Sequence, residues 1–219
     1  MTAVTGTYVS TAYRIDRDGA DRLLFLFHGY SAEQHHLAAY VPLVDPDERF
    51  SAVCPRALHD LPEGDGASWW TRTTNGPDPA SVRAAVHAVD ALIEAETVAR
   101  SIPRERCVIG GFSQGGMLAL ALATRVGAPR YAGVWAMCCA APEVDGLATD
   151  PAAAAGTPLL WHYGTEDPII SVARAEATAD RLATAGWQVT RRPYAMGHTQ
   201  RIEMMTDARS WLAALDATV

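Results

Sequence analysis

Residues 107–124, CVIGGFSQGGMLALALAT, constrain the fold more tightly than any other stretch. An apolar run with strand character, CVIGGF, ends at Gly111-Phe112-Ser113-Gln114-Gly115, and a run of strong helix formers begins at once. A strand that passes into a helix without a connecting loop must turn within a few atoms of its own backbone. Small residues on both sides of Ser113 permit that turn, which lifts the serine hydroxyl off the edge of a sheet. The unit implies a layered α/β arrangement, with the strand inside a sheet and the helix packed across its face.

The remaining sequence repeats the alternation. YVSTAYRI, RLLFLFH, FSAVCP, AGVWAMC, PLLWHY and WQVTRRPY read as further strands, giving about seven in all. Helical patterns lie between them at 79–100, 114–126, 172–185 and 199–216, with a polar helical stretch around 32–45. The first of these carries Val82, Ala85, Val86, Val89, Leu92 and Ile93 on one face and Arg83, Asp90 and Glu94 on the other. A mostly parallel central sheet with right-handed crossovers is expected, its two N-terminal strands forming an antiparallel edge. Ligands then gather at the C-terminal ends of the strands. Residues 57–78 break the rhythm with several Gly and Pro, and read as a substrate-facing loop or lid. With 219 residues and 49% hydrophobic composition, 1–219 reads as a single domain, with no length to spare for a helical cap domain.

Composition removes several classes of function. The formal charge of -7 and the lack of a basic cluster argue against nucleic acid as a partner. No run approaches the roughly 20 apolar residues that span a bilayer, and MTAVTGTYVS lacks the features of an export signal. Cys54, Cys107, Cys138 and Cys139 have neither redox nor zinc spacing, so reduced thiols in a cytoplasmic protein are expected. His35-His36 has no Glu at HExxH spacing, and neither a metal nor an organic cofactor is expected. Oligomeric state is not readable.

A serine is a poor nucleophile near neutral pH unless a base takes its proton and a third group orients the base. Asp167 follows the PLLWHY strand in GTEDPIIS, with Glu166 an adjacent rival, and His198 follows the WQVTRRPY strand in AMGHTQ. The order Ser113, Asp167, His198 is the one expected when all three occupy successive strand-end loops. The backbone N–H groups of Tyr30, in His28-Gly29-Tyr30-Ser31, and of Gln114 are candidates for a two-donor oxyanion hole. His28 and His162 read as structural. Leu61, Trp69, Trp70 and Met196 are candidates to line an apolar pocket, with core or lid packing the alternative for each.

Taken together, HGYS, GFSQGG, GTEDPIIS and MGH resemble the phospholipase/carboxylesterase family of α/β-hydrolases over nearly the whole chain. The resemblance implies a three-layer α/β-hydrolase fold and a Ser113–His198–Asp167 triad acting through an acyl-enzyme on a small-molecule acyl ester. Family members usually carry HGxGD where this chain has HGYSAEQ, so small esters are expected in preference to lipidated proteins. Acyl thioesterase or lysophospholipase activity is the alternative within the same chemistry, and a noncatalytic ligand-binding protein is the alternative outside it.

Overall fold

Seven strands make one sheet: β1 Ala12–Ile15, β2 Arg22–Phe27, β3 Phe50–Pro55, β4 Cys107–Phe112, β5 Gly133–Met137, β6 Pro158–Gly164 and β7 Gln188–Tyr194. Their order across the sheet is β1-β3-β2-β4-β5-β6-β7, parallel throughout except where β1 meets β3. The computed structural model describes residues 11–64 and 66–215, so positions 8–10 of the first expected strand, Asp65 of the loop and position 216 of the last expected helix lie outside the described residues.

The antiparallel edge differs from the expectation in one respect. β1 pairs with β3, from Ala12 opposite Pro55 to Ile15 opposite Ala52, and not with the adjacent β2. The cause is visible in the side chains. All six residues of β2 are buried, so it takes an interior place between β3 and β4, whereas β1 buries none of its residues fully and suits an edge.

Helices cover both faces. Leu23, Phe25 and Phe27 of β2 point into a core shared with α3 (Pro79–Arg100), α4 (Gln114–Thr124) and α5 (Val172–Thr184). Leu24 and Leu26 point the other way, toward α1 (His35–Ala38), α2 (Val41–Val44) and α6 (Ile202–Ala214). This alternation is the period of a strand buried on both sides. α3 has the predicted bounds because the sequence marks both ends. The Asp78 side chain accepts from the Ala80 and Ser81 amides, Pro79 opens the first turn, and Ser101 closes the helix in the left-handed region. The polar stretch at 32–45 yields only two single-turn helices, since Pro42 has no N–H to give the Ala38 carbonyl.

Residues 57–78 are ordered by short ladders. His59–Asp60 pairs with Ala67–Ser68, and Arg72–Thr73 with Gly76–Pro77. The segment is docked on the loop after β2 by Ser31 N–H to Ala67 O at 3.1 Å and Ala67 N–H to Ala32 O at 3.1 Å. Gly66 is required there, because a Cβ on it would lie 2.3 Å from the Ser31 carbonyl oxygen. Among the described residues no helix is long and apolar enough to cross a membrane, and no cap domain is inserted between the strands.

Candidate active site

The turn from β4 into α4 holds Ser113 at φ 52° and ψ −115°, a conformation that an L residue keeps only when its surroundings enforce it. Two bonds do so: Ser113 N–H to Met137 O at 2.8 Å and Met117 N–H to Ser113 O at 2.9 Å. The flanking glycines are dictated by the end of β2. A Cβ on Gly115 would lie 2.0 Å from the Phe27 carbonyl oxygen, and one on Gly111 would lie 2.5 Å from the same atom. The backbones of β2, β4 and α4 therefore touch directly beneath the serine.

Three strand-end loops bring polar groups to that hydroxyl. His198, after β7, places Nε2 2.8 Å from Ser113 Oγ and Nδ1 2.7 Å from Asp167 Oδ2. Asp167, after β6, has a buried carboxylate whose second oxygen accepts the Ile169 and Ile170 amides at 2.8 and 2.9 Å. Those bonds and the imidazole replace the water that burial removes. The rival Glu166 is exposed. With Nδ1–H donated to the carboxylate, Nε2 is the lone-pair nitrogen and faces the serine O–H. The ring leans on Phe112, centroids 4.9 Å apart, which helps fix its plane.

Tyr30 follows β2 with its side chain half exposed; the next two amides of its loop are bonded, Ser31 to Ala67 O and Ala32 to Gly29 O. Gln114 is the first residue of α4, where backbone N–H groups have no acceptor within the helix. Its side chain has a role that the sequence reading missed. Gln114 Oε1 accepts the Trp69 amide at 2.9 Å, its Nε2 donates to Ser68 Oγ at 3.0 Å, and Ser68 Oγ donates to Trp70 O at 2.6 Å. The 57–78 segment is thus clasped to the residue that follows Ser113.

His28 is buried and fully engaged: Nδ1 donates to Gly29 O at 2.8 Å and Nε2 accepts the Ala57 amide at 3.0 Å. Burial pushes its pKa down to about 4, so it is a neutral loop brace. His162 accepts Trp135 Nε1–H at 3.1 Å and is pushed down to about 3 by burial. All four cysteines are free and buried. Among the described residues no group of three His, Cys, Asp or Glu side chains converges as a metal site requires.

Ser113 and His198 open on a cleft of about 460 Å³ lined also by Tyr30, Ser31, Trp70, Arg72, Pro77, Phe112, Gln114, Met117, Ile169, Ile170 and Arg174. Of the expected pocket residues only Trp70 belongs to it. Trp69 faces the core, where its indole N–H donates to His28 O at 2.8 Å and its ring meets Phe27 edge-on. One tryptophan thus lines the cleft and the other anchors the segment. Met196 is buried in the core beneath α6, and Leu61 lies at the far ladder of the segment, its N–H on Gly66 O. Met117 and the Ile169–Ile170 pair line the cleft instead. Their signal in the sequence was position alone: one helical turn after Ser113, and directly after Asp167-Pro168.

The phospholipase/carboxylesterase family model matches residues 14–216. The chain belongs to the phospholipase/carboxylesterase family. A probable carboxylesterase of Oryza sativa subsp. japonica is 30% identical over 158 residues, 71% of this chain and 55% of that protein. Acyl-protein thioesterase 1 of Gibberella zeae is 30% identical over 127 residues, 55% of this chain and 52% of that protein. The chain thus spans about half the length of the curated relatives it matches. Solved structures share the α/β-hydrolase fold of this family: the Bacillus cereus carboxylesterase has a TM-score of 0.80 at 19% identity, covering 95% of each chain. Esterase PE8 has a TM-score of 0.81 at 21% identity, covering 94% of this chain and 99% of the other.

Proposed function

We propose that this chain is a serine hydrolase that cleaves small carboxylic esters through Ser113, His198 and Asp167. The observation that carries the reading is the unbroken chain of hydrogen bonds from the buried Asp167 carboxylate through His198 to Ser113 Oγ, at the mouth of a cleft lined in part by Trp70, Met117 and the Ile169–Ile170 pair. His198 Nε2 takes the serine proton as Oγ attacks the acyl carbon, and Asp167 holds the tautomer and balances the imidazolium that forms. The Tyr30 and Gln114 amides receive the developing oxyanion. His198 then protonates the departing alcohol, leaving an acyl-enzyme that water opens by the same steps in reverse. Every part comes from one sheet, which supports treating 1–219 as a single hydrolase domain.

Ser113→Ala is expected to fold normally and to lose ester turnover by a factor on the order of 10⁴ or more, while the wild-type serine is labelled by a fluorophosphonate. Substantial turnover by folded Ser113→Ala would sink the assignment. Matched p-nitrophenyl ester and thioester substrates of one acyl chain test the substrate class, and a wide preference for the thioester would move the reading to acyl thioesterase.

A further inference from the structure

Among the described residues, the walls of the cleft carry two cations and no carboxylate. Arg72, from the Arg72–Thr73 ladder, and Arg174, from the first turn of α5, line the same cleft as Ser113. Asp167 lies behind His198 with both oxygens engaged. This local excess occurs in a molecule with a formal charge of -7.

Most arginines of the chain are committed to carboxylates. Arg14, Arg17, Arg100, Arg104, Arg106 and Arg125 all sit in ion pairs, as do several others. Arg83 and Arg130 donate to the carbonyls of Asp145 and Ala155. Among the described residues, the guanidinium groups of Arg72, Arg174 and Arg209 have neither a carboxylate nor a carbonyl; Arg209 sits on the exposed face of α6, whereas Arg72 and Arg174 both line the cleft. The placement of Arg174 also runs against local preference. The first turn of a helix favours acidic residues, yet this turn of α5 has none and carries a cation at its third position. Two cations without a partner in the fold, lining one cleft beside Ser113, are placed to meet a ligand's negative charge.

We propose that the preferred substrate is an anionic ester, one whose acyl or alcohol part carries a carboxylate or comparable oxyanion held by Arg72 and Arg174 while Ser113 meets the ester carbonyl. This rests on the serine-hydrolase reading of the same cleft. The two arginines come from separate segments of the lining, the 57–78 segment and the first turn of α5, so an anion held by both would tie those segments together. Guanidinium groups suit the task because their forked donors match the paired oxygens of a carboxylate.

The test compares kcat/KM for anionic and neutral partners at low ionic strength in two arms. Monomethyl glutarate against dimethyl glutarate places the charge on the acyl side; 4-acetoxybenzoate against its methyl ester places it on the alcohol side. In the favoured arm, the ratio of anionic to neutral turnover is expected to fall about tenfold or more in Arg72→Gln/Arg174→Gln, the worth of a charge-assisted hydrogen bond. The arm that responds identifies which part bears the charge. A ratio within about twofold of wild type in both arms overturns the proposal. Both positions are exposed, and the single variants replace the double one if it does not fold. Should wild type cleave none of the four esters, the hydrolase reading fails separately. Calorimetric titration with monomethyl glutarate then decides the anion site: binding by wild type that is lost in the arginine variant sustains it, and absent or unaltered binding rejects it.

Discussion

Gly115 and Gly127 both look replaceable by alanine in a sequence, and the structure separates them sharply. A methyl on Gly115 meets the Phe27 carbonyl at 2.0 Å, a clash with backbone that belongs to β2 and cannot swing aside. Gly127 has φ +72°, but open space surrounds the missing Cβ. Gly115→Ala is therefore expected to lose about 3 kcal/mol or more, whereas Gly127→Ala loses about 1 kcal/mol, the cost of the left-handed conformation alone. Urea unfolding of the two variants measures the difference; equal losses would mean that the contact beneath Ser113 relaxes freely.

At the scale of elements, the clasp from Gln114 to Ser68 and Trp69 joins the 57–78 segment to the proposed reactive centre. Gln114→Ala keeps the backbone amide but removes the acceptor for Trp69 N–H, which is buried. Its expected effect is a loss of about 1–3 kcal/mol in stability, the penalty of an orphaned buried donor. It should also produce faster amide hydrogen exchange across residues 67–71 with lower kcat. Unchanged exchange there would show that the ladders alone hold the segment. Some elements were legible in the sequence and others were not, for physical reasons. α3 announced itself through Asp78, Pro79 and a sustained apolar face, and Ser113 through the glycines that its turn demands. The two-residue ladders of 57–78 have no periodicity to read, and without their register nothing distinguished Trp69 from Trp70. The pairing of β1 was hidden because the burial of β2 on both sides depends on strands far along the chain. Asp167, Glu166 and His198 could be nominated from order alone, but the choice between the carboxylates needed burial. Arg72 and Arg174 could not be nominated at all, since an unpaired arginine is recognised only after the paired ones are known.

Over the whole molecule, the two buried histidines make stability depend on pH. His28 and His162 are held neutral, with pKa values lowered from 6.5 to about 4 and about 3. The unfolded chain takes up their protons first as pH falls. Their contribution is therefore fully present above pH 6.5 and is lost progressively toward the folded values, pH 4 for His28 and pH 3 for His162. At pH 5 the expected loss is roughly 2 kcal/mol per histidine relative to neutral pH. Urea midpoints at pH 7.5 and 5 measure it, and His28→Gln should flatten the slope; a variant as pH-sensitive as wild type would assign the effect elsewhere.

The groups proposed to react are far apart along the chain: Ser113 and His198 are separated by 85 residues, and Tyr30 precedes both. Their meeting depends on the register of β2, β4, β6 and β7 together, so nothing in the site exists before the sheet has closed across its middle. Long-separation contacts of this kind form late, because the chain entropy of closing each loop is lost before any contact rewards it. Catalytic competence is consequently a report on the last event of folding, and after dilution from denaturant its return should lag the recovery of helical signal.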